Sequence, residues 1–416
     1  MMNSKYVPKR RFKEFDLDDE WEQLKLGDHA NILTGGTPNT SISSYWEPKE
    51  IPWMSSGEVN RRRLDKTDNM ISNDGIRNSS ARWVKKHSIL IALAGQGKTR
   101  GMVAVNNIPL TTNQSVAAIE PDKTLNYEFV FQNLSKRYDE LRLISSGDGS
   151  RGGLNKQIVS DISIACPNVN EQELIGNFLA DFDTLITMNQ HKLDKLKNLK
   201  KAYLSEMFPA EGERVPKRRF PGFEGEWEQM LLGKIGKAQS GIGFPDSEQG
   251  GKVGIPFYKV SDMNNNGNEH EMVFANNYVT LEQMSQRGWK AIHDVPAIFF
   301  AKVGAAVLLN RKRLCRVPFL MDNNTMAFSL DTSKVDTNFA KTMFETVDLT
   351  SLVQIGALPS YNTRDVESIS VLVPATKEQK QIGDFFHKLD NSISLQQQKL
   401  DKLNDLKKAY LNELFV

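Results

Sequence analysis

Ala92-Leu93-Ala94-Gly95-Gln96-Gly97-Lys98-Thr99 is the stretch of this 416-residue chain whose residue types and spacing come nearest to a reaction. It fits a relaxed phosphate-loop pattern with alanine in place of the first glycine. Nucleotide chemistry at such a loop needs a strand, the loop, and then a helix whose N-terminal N–H groups face the phosphates. The next residues here are Arg100-Gly101-Met102-Val103-Ala104-Val105, a strand-like run, so the loop is expected to be a hairpin turn. No apolar strand ending in aspartate offers a magnesium partner, and Lys302-Val303-Gly304-Ala305-Ala306, the matching place in the second half, lacks the pattern. Thiol and metal chemistry are as poorly supported. Cys166 and Cys315 lie in different halves, and neither has a zinc-like spacing with any of the six histidines, so both read as buried, inert thiols in a reducing cytoplasm.

Recognition is the chemistry that remains. Arg, Lys, Asn, Gln, Ser and Thr on loops read base edges when they enter a groove. In the first half the candidates are Arg61, Arg62 and Arg63; Arg77, Ser79 and Arg82; the tip Lys98, Thr99 and Arg100; and Arg151. In the second half they are Tyr258, Lys259, Ser261, Arg287, Lys302, Arg311, Lys312, Arg313, Tyr361 and Asn362. Glycines framing the Lys98–Arg100 tip let the backbone approach a duplex. For any single residue the competing reading is a solvated surface charge, and the basic triplets suit phosphates better than bases. A net charge of +2 argues against a tight, non-specific nucleic-acid binder.

The elements that must position these residues are written twice. Glu171 to Phe208 returns as Glu378 to Phe415. Glu171-Gln172 maps onto Glu378-Gln379, Leu193-Asp194-Lys195-Leu196 onto Leu400-Asp401-Lys402-Leu403, and Leu199 to Leu204 onto Leu406 to Leu411, all at an offset of 207. Such fixed-period self-similarity defines the architecture. Apolar residues at steps of three and four predict two helices with one narrow stripe each: Phe182, Ile186, Leu193, Leu196, Leu199, Tyr203 and Met207, and Leu389, Ile393, Leu400, Leu403, Leu406, Tyr410 and Leu414. A narrow stripe needs one partner, so the two helices are expected to pack as an antiparallel coiled coil. Phe182, Ile186, Leu193, Leu196, Tyr203, Leu389, Ile393, Leu400, Leu403 and Tyr410 form the seam, with Asn189 and Gln396 as polar residues fixing register. About 26 straight helical residues would make a spacer roughly 40 Å long.

Val-Pro-Lys-Arg-Arg-Phe at 7–12 recurs at 215–220, each copy followed by an acidic segment containing Trp21 or Trp227. Its repetition at the head of each half marks a structural lead-in more than a localisation or phosphate motif. Between lead-in and helix lies a strand-rich body. Strands are expected at Ile51-Pro52-Trp53, Ser88 to Ala94, Met102 to Val105, Ser115 to Ile119 and Ile162 to Ala165, with counterparts at Ile255-Pro256-Phe257-Tyr258 and Ala297 to Ala301. The order of elements is kept while the loops differ. The fold class is α+β: two similar mixed α/β domains separated by two long helices, with a pseudo-two-fold internal repeat. No segment reaches the eighteen apolar residues of a membrane span, and no apolar run follows the basic N-terminus as in a signal peptide; a cytoplasmic protein is expected.

Gly35-Gly36-Thr37-Pro38, Thr112-Asn113-Gln114, Leu154-Asn155-Lys156-Gln157, Pro167 to Gln172 and Pro374 to Gln379, in this order and with the doubled helix, resemble the specificity subunit of type I restriction-modification systems over essentially the whole chain. The resemblance implies target recognition domains at 1–165 and 210–372 and helical repeat regions at 166–209 and 373–416. Each recognition domain would read one half of a split, asymmetric site in double-stranded DNA, with the helices setting the spacer. Two methyltransferase subunits, and restriction/translocase subunits in the full complex, would assemble around the chain. The chain itself would be non-catalytic and hold no cofactor, with S-adenosylmethionine and ATP on the partner subunits. It contains no Asn-Pro-Pro-Tyr or similar adenine-methylation loop. The rival class is a stand-alone DNA-binding regulator or scaffold with a coiled-coil stem.

Overall fold

A computed structural model describes residues 6–95, 99–144, 153–353 and 359–416. The chain divides into two units, Met1–Asn189 with Leu400–Val416, and Gln190–Lys399.

In the first unit a five-stranded sheet runs in the order Ala30–Thr34, Val116–Pro121, Ile89–Ala92, Val103–Asn106 and Arg63–Leu64. Its pairs are antiparallel except the last, which is parallel. Both faces are covered. Ile89, Ile91, Val103, Val105, Ala117 and Ile119 pack with Phe129, Val130, Ile175 and Leu179 of the helices, and Leu90, Ala92, Ala104, Val116 and Ala118 pack with Met54, Val84 and Leu110 of a second, smaller sheet. A strand buried on both faces must be apolar throughout, which is why Ile89-Leu90-Ile91-Ala92 lacks alternation. In the smaller sheet Ile51–Met54 lies parallel to Leu110–Thr112, flanked by Asn69–Ile71 and Trp83–Val84.

The second unit repeats this plan. Gly236–Ser240, Thr325–Leu330, Ala297–Ala301 and Lys312–Cys315 form an antiparallel sheet. Ile298, Phe300, Met326 and Phe328 turn to Phe339 and Phe386 on one side, and Ala297, Phe299 and Ala327 turn to Tyr258 and Phe319 on the other. Ile255–Tyr258 pairs in parallel with Leu320–Met321, the counterpart of Ile51–Met54 with Leu110–Thr112. Each unit also closes its two ends with a two-stranded ribbon, Glu22–Lys25 with Ser163–Cys166 and Glu228–Leu231 with Ser370–Val373. The α+β reading holds.

The repeated helices are Val169–Met207 and Thr376–Leu414, 39 residues each, or about 58 Å at 1.5 Å per residue. The straight spacer of about 26 residues is only part of each helix, because the first turns belong to the domain cores, where Ile175, Leu179, Ile382 and Phe386 are buried. In the first unit Phe178 and Phe182 meet Tyr410 at ring distances of 5.0 and 5.6 Å, and Asp183 meets Lys407. In the second unit Tyr203 meets Phe385 at 5.0 Å and Lys200 meets Asp390. In each unit, advancing along one helix retreats along the other, so the pairing is antiparallel.

Along the stripe Leu193, Leu389, Ile393 and Leu400 are buried, with Asn189 and Gln396; Phe182, Ile186, Leu196, Tyr203, Leu403 and Tyr410 are half-buried. Two expected stripe positions are corrected. Leu199 and Leu406 are 41% and 40% exposed, and the neighbouring Lys200 and Lys407 point inward instead. Counting by threes and fours leaves adjacent residues competing for the inner face, since a straight helix drifts about 20° per heptad. Carboxylates facing the inner positions settle the contest for the lysines.

Candidate nucleic-acid interface

Antiparallel pairing fixes where the loops gather. Thr34 lies opposite Ala117, and Ala92 opposite Val116, so Gly35-Gly36-Thr37-Pro38, Leu93-Ala94-Gly95 and Asn113-Gln114-Ser115 leave the large sheet at the same end. They are locked together. Gly36 N–H donates to the Thr112 carbonyl at 2.8 Å, Leu93 N–H to Ser115 O at 2.8 Å and Leu154 N–H to Leu93 O at 2.9 Å, and the Thr37 hydroxyl donates to Gln114 Oε1 at 2.6 Å. A Cβ on Gly35 would lie 1.9 Å from the Thr112 carbonyl oxygen, so only glycine fits there. The second unit has the same lock. A Cβ on Gly241 would lie 1.8 Å from Asp322 O, Ile242 N–H donates to Met321 O at 2.9 Å, and Gly304 N–H donates to Pro359 O at 2.9 Å. Motifs far apart in sequence thus make one loop cluster per unit.

Strands Ile89–Ala92 and Val103–Asn106 pair as an antiparallel hairpin, Ile89 opposite Val105 and Ile91 opposite Val103. The chain after Arg100 enters a strand and not a helix; Gln96 and Gly97 of the phosphate-loop look-alike lie outside the described residues. Thr99 and Arg100 are half-buried; Lys98 and Arg151 lie outside the described residues. Arg77 and Arg82 are exposed, while the Ser79 hydroxyl accepts from Ala81 N–H at 3.2 Å.

In the second unit Ser261 is exposed, Lys302 is half-buried, and Lys259 Nζ donates to Gln249 Oε1 at 3.1 Å. Arg287 is exposed and held by Glu248 at 2.5 Å, and Arg311 Nη1 donates to Asn264 Oδ1 at 2.7 Å. Five candidates have structural partners within the unit. Tyr258 is buried with its hydroxyl on Met272 O at 2.9 Å, and Tyr361 is buried with its hydroxyl on Ala301 O at 2.5 Å; burial pushes both phenols up. Asn362 Oδ1 caps the helix Thr363–Glu367 through Arg364 N–H and Asp365 N–H, as Asn155 caps Lys156–Ser160. Lys312 Nζ turns inward to Asn310 Oδ1 at 2.7 Å and Val347 O at 2.5 Å, where burial draws its pKa down to about 8. Arg313 Nε donates to Asn268 O at 2.5 Å.

The first basic triplet lies beside the long helices. Arg61 pairs with Asp68 at 2.5 Å. Arg63 grips both oxygens of Glu128 at 3.0 and 2.5 Å and reaches Asp183 at 3.4 Å. Arg62, in the left-handed region at φ 61, stacks over Phe131 at 5.2 Å and stands 3.9 Å from Asp183. With Lys407 and Lys408 the triplet lines a cleft of about 650 Å³. In the second unit the matching carboxylate, Asp390, is held by Lys200 at 2.6 Å and by Lys341. Glu345 meets Lys200 at 2.5 Å, and His270 lies 3.7 Å from Asp390. His270, Glu345 and Asp390 are the trio of metal-type ligands gathered among the described residues; two lysines already occupy their oxygens, so this is an ion-pair knot.

Sequence reasoning passed over these buried acids, although their common offset of 207 was the available signal. Glu171 and Glu378 belong with them. Arg11 grips Glu171 with Nε and Nη2 at 2.8 and 2.7 Å, and Arg219 grips Glu378 at 2.6 and 2.7 Å. Arg10 pairs with Glu413 and Arg218 with Glu206, both at 2.5 Å. The lead-in is therefore structural: it ties the start of one long helix to the end of the other. Gln172 and Gln379 each donate to the carbonyl of Pro167 or Pro374 at 2.9 Å and accept from Asn126 N–H or Asp336 N–H. Cys166 and Cys315 are free and buried; burial pushes the Cys166 thiol up to about 12 and the Cys315 thiol well above its ordinary value, which removes both from nucleophilic work.

Comparison with known proteins agrees with this doubled frame. The family model for the type I restriction modification DNA specificity domain matches residues 18–198 and again residues 224–405. The type I restriction enzyme MjaIX specificity subunit of Methanocaldococcus jannaschii is 23% identical over 432 residues, covering 97% of this chain and 95% of that one. The EcoR124I/EcoR124II specificity subunit of Escherichia coli is 28% identical over 176 residues, which span 42% of this chain and 43% of its relative. In three dimensions the S subunit of the type I restriction-modification system from M. genitalium aligns with a TM-score of 0.68 over 99% of both chains at 14% identity, a likeness of fold.

Proposed function

The chain belongs to the DNA specificity family of type I restriction-modification systems, and on that premise we propose that its two domains each read one half of a bipartite, asymmetric DNA site. The paired long helices set the spacer between the halves. The chain also holds two methyltransferase subunits, joined by restriction/translocase subunits in the full complex. It carries out no reaction of its own; S-adenosylmethionine and ATP belong on the partners, and the complex works in the cytoplasm.

The observation that carries this reading is one loop-locking frame used twice with unlike loops. Gly35 against Thr112 and Gly241 against Asp322 fix the same approach, yet the hairpin connection holds Lys98-Thr99-Arg100 in one unit and the turn Ala305–Leu309 in the other. Rigid frames with different loops suit two different targets. The net charge of +2 fits a reader of bases whose phosphate contacts come largely from its partners.

Mapping methylated adenines in cells with and without the chain tests this. A split motif should vanish with the chain, and Lys98→Ala with Arg100→Ala should alter one half only. Equal loss at both halves would sink the local reading. An unchanged methylation map, with no methyltransferase co-purifying, would point to a stand-alone regulator instead.

A further inference from the structure

The turn Ala305–Leu309 presents Leu308 and Leu309 to solvent, 61% and 59% exposed. Single exposed leucines are ordinary. These two are adjacent on a turn that is fixed from behind. Val307 is buried and Ala306 packs against the core. Gly304 N–H is bonded to Pro359 O at 2.9 Å, and Val303 bridges to Ser360. On the other side Asn310, in the left-handed region at φ 50, accepts from Leu349 N–H at 3.1 Å and from Lys312 Nζ at 2.7 Å, and donates to Val347 O at 3.3 Å. The leucines cannot fold inward without breaking that brace.

Lys302 and Arg311 stand at the two ends of the turn, Arg311 steadied by Asn264 at 2.7 Å. An apolar pair between two cations matches a surface that is apolar at its centre and anionic at its edges. Two leucine side chains fall far short of the ~800 Å² per partner that a stable protein interface buries. In the major groove, by contrast, the C5-methyl of thymine is the apolar feature of the code, and one apolar side chain reads it.

We propose that Leu308 and Leu309 are specificity-determining residues of the second unit, taking the 5-methyl group of a thymine in the half-site that this unit reads. The contact rests on the half-site reading of the two domains. Lys302 and Arg311 hold the flanking phosphates, and the braced turn delivers the leucines at a fixed depth.

The test uses the full chain with its co-purified methyltransferase and duplexes carrying the mapped site, each thymine replaced in turn by deoxyuridine, which lacks only the methyl. At one thymine the wild-type complex should bind about fourfold more weakly, the worth of one buried methyl group. Leu308→Ala or Leu309→Ala should abolish that difference while leaving the thermal midpoint unchanged, since both side chains are exposed. If no thymine shows a methyl dependence, or the dependence survives in both variants, the proposal fails. It fails equally if the variants lose the methyltransferase rather than the methyl dependence. Base-pair swaps in each half separate the two readings: swap-sensitive but uridine-insensitive binding overturns only the leucine contact, whereas binding indifferent to swaps overturns the half-site reading and this contact with it.

Discussion

Asp183 of the first long helix is held by Lys407 Nζ of the second at 2.5 Å, and the residues 207 positions on and back, Asp390 and Lys200, make the same pair at 2.6 Å in the other unit. One ion pair of the repeat is therefore formed twice, each time between helices of different copies. Its surroundings differ. Lys200 also has Glu345, and two carboxylates raise its pKa against the effect of burial. Lys407 has Arg62 and Arg63 nearby, and burial together with those cations lowers it in spite of Asp183.

Asp183→Ala should destabilise the first unit by about 3–5 kcal/mol, because it strands Lys407 among arginines. Urea unfolding followed by hydrogen exchange should show the loss in residues 6–189 and 400–416. Protection falling only elsewhere would contradict the pairing.

Acid should act through the same carboxylates. Burial raises the pKa of Asp183 and Asp390, but the cations facing them outweigh it, so both lie below the ordinary carboxylate value. Between the folded value and the unfolded value near 4, the unfolded chain binds more protons, so stability rises with pH there. The contribution is complete above the unfolded value and is lost as pH falls through the folded one. Asp183→Asn with Asp390→Asn should flatten this acid limb in a stability-against-pH series; an unaltered limb would assign it to other groups.

Arg11→Ala leaves the buried carboxylate of Glu171 without its fork, a loss of about 3 kcal/mol or more. Arg11→Lys should recover only part, since lysine lacks the two-pronged geometry. Thermal unfolding of the two variants gives the ranking, and full recovery with lysine would mean that charge alone matters.

Gly383 packs so closely on the helix Thr337–Thr346 that a Cβ would lie 2.6 Å from Phe339 N, and Gly176 approaches Phe129 N at 2.9 Å in the same way. Either glycine replaced by alanine should cost about 1–3 kcal/mol, read from denaturant midpoints. Tolerance without a shift would place slack where the packing has none.

Four residues inserted after Asn189 and four after Lys399 lengthen both long helices at the division between the units. Each insertion adds about 6 Å of helix, close to two base pairs at about 3.4 Å each. Methylation mapping should find a spacer two base pairs longer between unchanged halves. An unchanged spacer would end the ruler reading.

Some of this was legible in the chain alone because it rests on local pattern. The copied text from Glu171 and from Glu378, with its steps of three and four, determined two long helices and a doubled plan. The unbroken apolar run from Ser88 to Ala94 marked a buried strand, and Arg100–Val105 spoke against a helix after the glycine loop. Tertiary structure decided what neighbours in space impose. Lys200 and Lys407 displaced Leu199 and Leu406 from the inner face because Asp390 and Asp183, far away in sequence, wait there. Tyr258, Tyr361, Lys312 and Arg313 look like groove readers by residue type, yet their polar atoms are bonded to carbonyl oxygens of distant segments, and both tyrosines are buried. Period and composition describe one segment at a time, whereas a side chain's partner is chosen by whatever the fold brings within about 3 Å of it.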